Sequence, residues 1–315
     1  MANKSLSQTS GPLISVIIPT YNGSLYLRET IHSAMPQQQG MDEIEIIVVD
    51  DQSKDNSHEI AKSFPHPVRA FKLSENGGVA NARNFGISVA RGQYIALLDQ
   101  DDIFLPNKLK KQVAKMLSDQ NLILCHGNIA VINDTSKVIA HDTLGHDSPP
   151  PSGQVTESLF KWNHVIACTA IFRKDAFIKT GGFNRKTWGT DDYEMWLQLS
   201  TYGDFKYLDE IIAHYRWHDS NASKNDALMI HNRLTARIEF LKTNPNVTSK
   251  LDSDFIKQEI TRHTKDFSYN LTKLREYDFA RKTVKLATPF ISFRQKISLY
   301  IIYAKTYIHQ LSHYH

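Results

Sequence analysis

Cysteine is scarce: two residues in a chain of 315, too few for a disulfide framework. Cys125 and Cys168 each follow or end an apolar run, Leu122-Ile-Leu124 and Val165-Ile-Ala167, and read as reduced core residues. That usage suits a reducing, cytoplasmic compartment. No apolar run reaches the ~18 residues a membrane-spanning helix needs. Residues 1–12 are mostly polar and serine-rich, so they read as a flexible lead-in without a secretory signal. Neither GxGxxG nor GxxxxGK[ST] occurs, which removes the dinucleotide fingerprint and the P-loop. Internal repeats and low-complexity stretches are also missing.

What is present is an ordinary globular composition, 41% hydrophobic and 22% charged. The length suits one large domain or two. The net charge of +4 is unevenly spread. From Lys224 onward there are 16 Lys and Arg against 8 Asp and Glu, a net +8, which leaves −4 for the residues before it. An acidic front half argues against nucleic acid as its partner.

Along the first hundred residues, short β-rich runs alternate with helical patterns. Strands are expected at Ile14–Ile18, ended by Pro19, and at Ile44–Val49, Val68–Leu73 and Tyr94–Leu98. Helices are expected at Leu25–Met35, Asn56–Phe64 and Val79–Ala90. This alternation predicts a parallel sheet covered by helices, with ligands bound beyond the carboxyl ends of its strands. The middle is mixed. Helices are expected over Lys108–Leu117 and Asp191–Tyr202, strands over Leu122–Ile132, Ala167–Arg173, Phe205–Leu208 and Ile212–Trp217, and a proline-rich loop over His146–Gln154. From Asp226 the pattern is helical, with Ala227–Leu241, Phe255–Leu274 and Phe290–Leu311 as the expected elements. The last of these repeats apolar residues at 290, 293, 297, 300, 301, 304, 308 and 311, with Leu299, Ile302 and Tyr303 off that stripe. Arg294, Lys296 and Lys305 decorate it. Packing on the rest of the chain, homodimerisation, and peripheral contact with an anionic membrane at its inner face all fit such a helix.

Several groups can carry chemistry, and each has a plainer structural reading. Asp99 and Asp101 project to one side of an extended backbone, where two carboxylates repel unless a cation joins them. Oxygen ligands favour Mg2+ or Mn2+; the plainer reading is capping of the helix after Pro106. Asp50-Asp51 can accept from a base or a ribose hydroxyl, or simply shape a turn. Asn76-Gly77-Gly78 followed by Arg83 is a flexible entry to a helix with a cation one turn in. It fits a diphosphate, or an ordinary cap. Asp191-Asp192 opens a helix as a candidate general base or as N-terminal acidic residues. Arg216 and His218 share a strand face, where they can meet a phosphate or, for His218, a metal.

In combination these segments resemble the inverting glycosyltransferases of family 2, over about Leu13 to Ser223. The carriers are Ser15-Val-Ile-Ile-Pro-Thr-Tyr-Asn22, Val48-Val-Asp-Asp-Gln-Ser-Lys-Asp-Asn-Ser57, Asn76-Gly-Gly-Val-Ala-Asn-Ala-Arg-Asn84, Leu97-Leu-Asp-Gln-Asp-Asp102, Gly181-Gly-Phe183 with Asp191-Asp-Tyr-Glu-Met-Trp196, and Tyr215-Arg-Trp-His218 with Ser223. The resemblance implies an α/β GT-A fold, a Rossmann-like mixed sheet with flanking helices, over residues 13–223. Its nucleotide half would be 13–102 and its acceptor half 103–223, with 224–315 a helical extension. It implies Pro19, Thr20, Tyr21, Asn22, Asp51, Gly78, Arg83, Asp99 and Gln100 around the nucleotide. Asp101, Asp99 and His218 would serve a Mn2+ or Mg2+ ion. Asp192 would be the base, with Asp191 as its rival because the family usually has Glu before Asp at that place. The donor would be a nucleoside-diphosphate sugar, most simply uridine-linked, and the acceptor a carbohydrate or lipid-linked hydroxyl. No Gln-x-x-Arg-Trp motif of processive synthases occurs, which points to transfer of one hexosyl unit per encounter, as in surface polysaccharide or glycolipid synthesis. A sugar nucleotidyltransferase would need a basic loop where Pro19–Ser24 has neither Lys nor Arg; a catalytically inactive nucleotide-sugar binder is the other alternative.

Overall fold

The computed structural model describes residues 14–38, 44–141, 149–219, 221, 226–247 and 251–312, the last five without their side chains. The lead-in 1–12, part of the proline-rich loop, and Ser223 lie outside the described residues. The front half runs β1 (Ile14–Thr20), α1 (Leu27–Ala34), β2 (Ile44–Asp50), α2 (Ser57–Lys62), β3 (Val68–Lys72), α3 (Val79–Val89), β4 (Tyr94–Leu97). The middle runs β5 (Ile103–Phe104), α4 (Lys108–Ser118), β6 (Leu122–Ile132), β7 (Val138–His141), α5 (Thr156–Lys161), β8 (Ile171–Arg173), α6 (Lys174–Thr180), α7 (Asp191–Leu199), β9 (Asp204–Arg216). Four helices follow: α8 (Asp226–Thr243), α9 (Ser253–Lys273), α10 (Tyr277–Ala287) and α11 (Phe293–Ser312).

The nine strands form one mixed sheet in the order β3-β2-β1-β4-β8-β6-β9-β5, with β7 beside β6. β1 to β4 are parallel to one another, as right-handed strand–helix–strand units require. β8 then pairs antiparallel with both β4 and β6. All seven residues of β1 and of β2 are buried, the signature of strands covered on both faces. Their side chains alternate between two cores. Ile17, Ile47 and Val49 join α3 and α7, whereas Val16, Ile18, Ile46 and Val48 meet α1, α2 and α4. Pro19 is tolerated in a central strand because β1 pairs with β4 only as far as Ile17. The first core continues into α8–α11 through Leu234, Ile238, Phe240, Ile260, Val284 and Leu299.

Two expectations need correction, and a question left open for α11 is answered. The strands read at Phe205–Leu208 and Ile212–Trp217 are one strand, β9, ending at Arg216; the polar Asp209-Glu210 between them is an exposed bulge where the register against β6 shifts past Gly127. Ala167–Arg173 begins with a 3-10 turn, Ala167–Thr169, and is extended only from Ile171. On α11, among the residues with described side chains, Leu299 and Thr306 are buried and Ile302 and Tyr303 half-buried, while stripe positions 293, 297, 300, 301 and 304 are exposed. β5, β7, α5, α6 and α10 were not anticipated.

Candidate active site

The carboxyl ends of β1, β2 and β4 open onto one cleft of about 1120 Å3. It is lined by every residue that the family resemblance implies for nucleotide, metal or base: Pro19, Thr20, Tyr21, Asn22, Asp51, Gly78, Arg83, Asp99, Gln100, Asp101, His218, Asp191 and Asp192.

On the nucleotide side, two side chains fix the loop after β1. Gln100 Oε1 accepts from the Tyr21 N–H at 2.8 Å and from Thr20 Oγ1 at 2.8 Å. Asn22 accepts from the Lys54 N–H at 2.8 Å, and its own N–H donates to Ser53 Oγ at 2.9 Å. Asp51 is buried, and its two oxygens accept the N–H groups of Gly77 (2.9 Å) and Gly78 (2.7 Å). Gly78 sits at φ +84°, a region glycine enters without strain, and α3 starts from it at the cleft.

The centre of the site is Arg83. It is 4% exposed and bridges two carboxylates, Asp99 Oδ1 at 2.7 Å and Asp191 Oδ2 at 2.8 Å, with its guanidinium 5.5 Å from the Phe183 ring centroid. The pairing raises its already high pKa further, Asp99 and then Asp191 outweighing burial. Asp191 is thus the buried partner of Arg83, and its burial still raises its carboxyl above the usual range against the lowering pull of that guanidinium. Asp192, next along α7, has no such partner; burial, then the neighbouring Asp191, pushes its carboxyl up to about 7. Only its own helix N–H, at Tyr193, donates to it in return, at 2.7 Å.

Beyond Asp99, the chain splits Asp101 from Asp102. Asp101 Oδ2 lies 2.9 Å from His218 Nε2, and the imidazole stacks 5.1 Å from the Tyr26 ring. Asp102 points inward, 1% exposed, and accepts the Arg216 N–H at 2.9 Å; burial, then Asp101, pushes its carboxyl well above the usual range. It does not cap α4, whose preceding residue, Asn107, is left-handed at φ +62° and makes no side-chain cap bond. Arg216 also departs from expectation. It is fully buried, donating to the Asp101 carbonyl (2.8 Å), to the Asn133 carbonyl (3.0 Å) and to Glu29 (2.7 Å), so it fastens strand ends and cannot meet a phosphate. Among the described residues, no three His, Cys, Asp or Glu side chains gather as a metal cage.

The far wall was invisible in the sequence. Trp162, Asn163 and Val165 line it from the segment after α5, Trp188 from the turn before α7, and Met229, Arg233, His263 and Phe267 from α8 and α9. No motif marks them, because they meet only when the C-terminal helices pack on α7.

The fold and cleft define a class. S. aureus TarS, residues 1–349, solved in complex with UDP-GlcNAc, superposes with a TM-score of 0.65 at 16% identity, covering 94% of this chain and 88% of that one. The architecture is GT-A-like. The chain belongs to glycosyl transferase family 2, whose model matches residues 15–181. An uncharacterized glycosyltransferase of Rickettsia felis is 33% identical over 219 residues, 68% of this chain and 35% of that protein. One from Rickettsia typhi is 34% identical over 224 residues, 70% of this chain and 68% of its own. The chondroitin synthase of Pasteurella multocida is 28% identical over 286 residues, 88% of this chain and 28% of that protein. This chain therefore spans about a third of the Rickettsia felis relative's length. Among the described residues no helix is long and apolar enough to cross a membrane.

Proposed function

We propose that the chain transfers one hexosyl unit from a nucleoside-diphosphate sugar to an acceptor hydroxyl with inversion, Asp192 acting as the base. The observation that carries this is the division of labour between adjacent carboxylates. Arg83 neutralises Asp191, and Asp192 faces the same cleft with its pKa raised to about 7, where a base is effective at neutral pH. The acceptor hydroxyl attacks the anomeric carbon from the side opposite the diphosphate and gives its proton to Asp192. Asp51 and the loop Pro19–Asn22 hold the nucleotide, and Asp99, fixed by Arg83, sits on its ribose side. Uridine is the favoured base because TarS was solved with UDP-GlcNAc.

Asp101 and His218 are the residues that would hold a divalent ion. Their 2.9 Å contact sets one carboxylate oxygen and one imidazole nitrogen side by side, a donor pair that suits Mn2+ better than Mg2+. When bound, the ion would offset charge on the departing diphosphate. Residues 13–223 would be the catalytic unit, 13–102 serving the nucleotide and 103–223 the acceptor, and 224–315 its helical extension. The acceptor would be a carbohydrate or lipid-linked sugar of a surface polysaccharide or glycolipid. Of the other readings, a nucleotidyltransferase gains nothing from a nucleotide loop without Lys or Arg.

The test separates binding from turnover. Asp192→Asn should lower kcat by ~10^2–10^4 with donor affinity, measured by calorimetry with UDP-sugars, nearly unchanged. Turnover close to that of the native chain would rule out Asp192 as the base.

A further inference from the structure

α11 carries a surface that the transfer reaction does not use. On a helix of 3.6 residues per turn, Phe293, Ile297, Tyr300, Ile301 and Ala304 fall within about 100° of arc. All five are exposed: Phe293 at 77%, Ile297 at 51%, Tyr300 at 56% and Ile301 at 53%. Tyr307, 47% exposed, widens the strip. The opposite face is the one that packs, with Leu299 and Thr306 buried and Gln295 donating to the Lys257 carbonyl of α9 at 3.2 Å. The helix is anchored, and a contiguous apolar strip is left outward.

The charge around the strip identifies its occupant. Residues 279–315 contain six Lys and Arg and no Asp or Glu. Arg294 and Lys305, both exposed, border one side of the strip; Lys296 borders the other, with the exposed Lys285 of α10 reaching over Tyr303 at 5.8 Å. We infer that this face docks on an anionic lipid bilayer, the apolar strip entering the headgroup boundary and the flanking cations meeting lipid phosphates. A protein partner fits less well, because interface cores are depleted in lysine. A second copy fits worst. Two such faces meeting about a two-fold axis would set cation against cation, and this stretch supplies no carboxylate to pair with them. The inference stands independently of the transfer reaction.

Vesicle co-sedimentation of the whole chain tests it, with phosphatidylcholine alone and with phosphatidylglycerol added, at low and high salt. The expected result is binding at least about tenfold tighter to the phosphatidylglycerol vesicles, weakened by salt. Two double variants, Ile297→Glu with Ile301→Glu and Arg294→Glu with Lys305→Glu, should each lose that preference. All four side chains lie outside the core, so their melting curves should match that of the native chain; should the first pair alter melting, the second still reads the charge. Equal binding by native chain and variants, or no binding by the native chain, would overturn the inference. So would a native dimer by light scattering that the Ile297→Glu and Ile301→Glu pair dissolves without any vesicle effect.

Discussion

Arg83 was legible as a cation one turn into α3, but its two carboxylate partners were not. Sequence spacing suggested a diphosphate ligand; the structure spends both ends of its guanidinium on Asp99 and Asp191, 16 and 108 residues away. Such long-range pairing leaves no local trace. Its energetic consequence is testable. Arg83→Met would leave Asp191, 2% exposed, without its counter-ion, and breaking one side of a buried pair costs about 3–5 kcal/mol. Urea unfolding should show that loss; an unchanged midpoint would show that the pair contributes nothing. The neighbouring carboxylate bears on the pH response of the proposed reaction. As the proposed base, Asp192 must be ionised to take a proton, and its carboxyl is raised to about 7 by burial and by Asp191. With saturating donor, kcat/KM for the acceptor should therefore fall about tenfold per pH unit below 7 and level off above it. A profile flat down to pH 5 would mean that the base titrates elsewhere.

At the scale of elements, the front half was read almost completely. β1, β2 and β4 are hydrophobic on both faces, and that pattern survives burial on two sides without ambiguity. The 13 cleft residues marked by motifs were legible for the same reason, since they sit at strand ends or helix starts, where short motifs report position; the far wall was not. What failed were elements decided by tertiary context. β9 looked broken at Asp209-Glu210 because a bulge and a turn share polar composition. For α11 the sequence left the buried face open, because periodicity shows that a helix has two faces and not which one meets the core; stripe positions 293, 297, 300, 301 and 304 are the exposed ones. The close approach of α3 to the sheet belongs to this scale as well. A Cβ at Gly86 would stand 2.7 Å from Ile17 Cγ2 and 3.2 Å from Val49 Cγ2. Gly86→Leu should overpack that contact and cost about 3 kcal/mol. Because β1 ends in Pro19-Thr20 and leads directly into Tyr21-Asn22, the same variant should weaken UDP-sugar binding. A thermal melt and a donor titration check both halves, and an unchanged melt would show that α3 can lift away freely.

Across the whole molecule, sequence motifs and packing divide the chain differently. The motifs end near His218, whereas the first core runs from Ile17 and Trp196 through Leu234, Phe240 and Ile260 to Leu299. Asn232 of α8 donates to the Trp188 carbonyl at 2.7 Å, and Arg237 donates to the Phe160 and Lys161 carbonyls at 2.7 and 3.0 Å. These contacts fasten both the turn that precedes Asp191 and the end of α5, so the C-terminal helices brace the wall of the cleft by packing on α7 and α5. A fragment of residues 13–223 would expose the apolar faces of α5 and α7 that α8 and α9 now bury. Burial of each large aliphatic or aromatic side chain contributes about 1.5–3 kcal/mol, and a domain has only about 5–15 kcal/mol in hand. The fragment should therefore lose cooperative unfolding and bind a hydrophobic dye, whereas residues 13–312 should melt in one transition. If the fragment instead melts as sharply as the whole chain, the helices are an appendage, and the bracing of Trp188 through Asn232 has no part in holding the cleft.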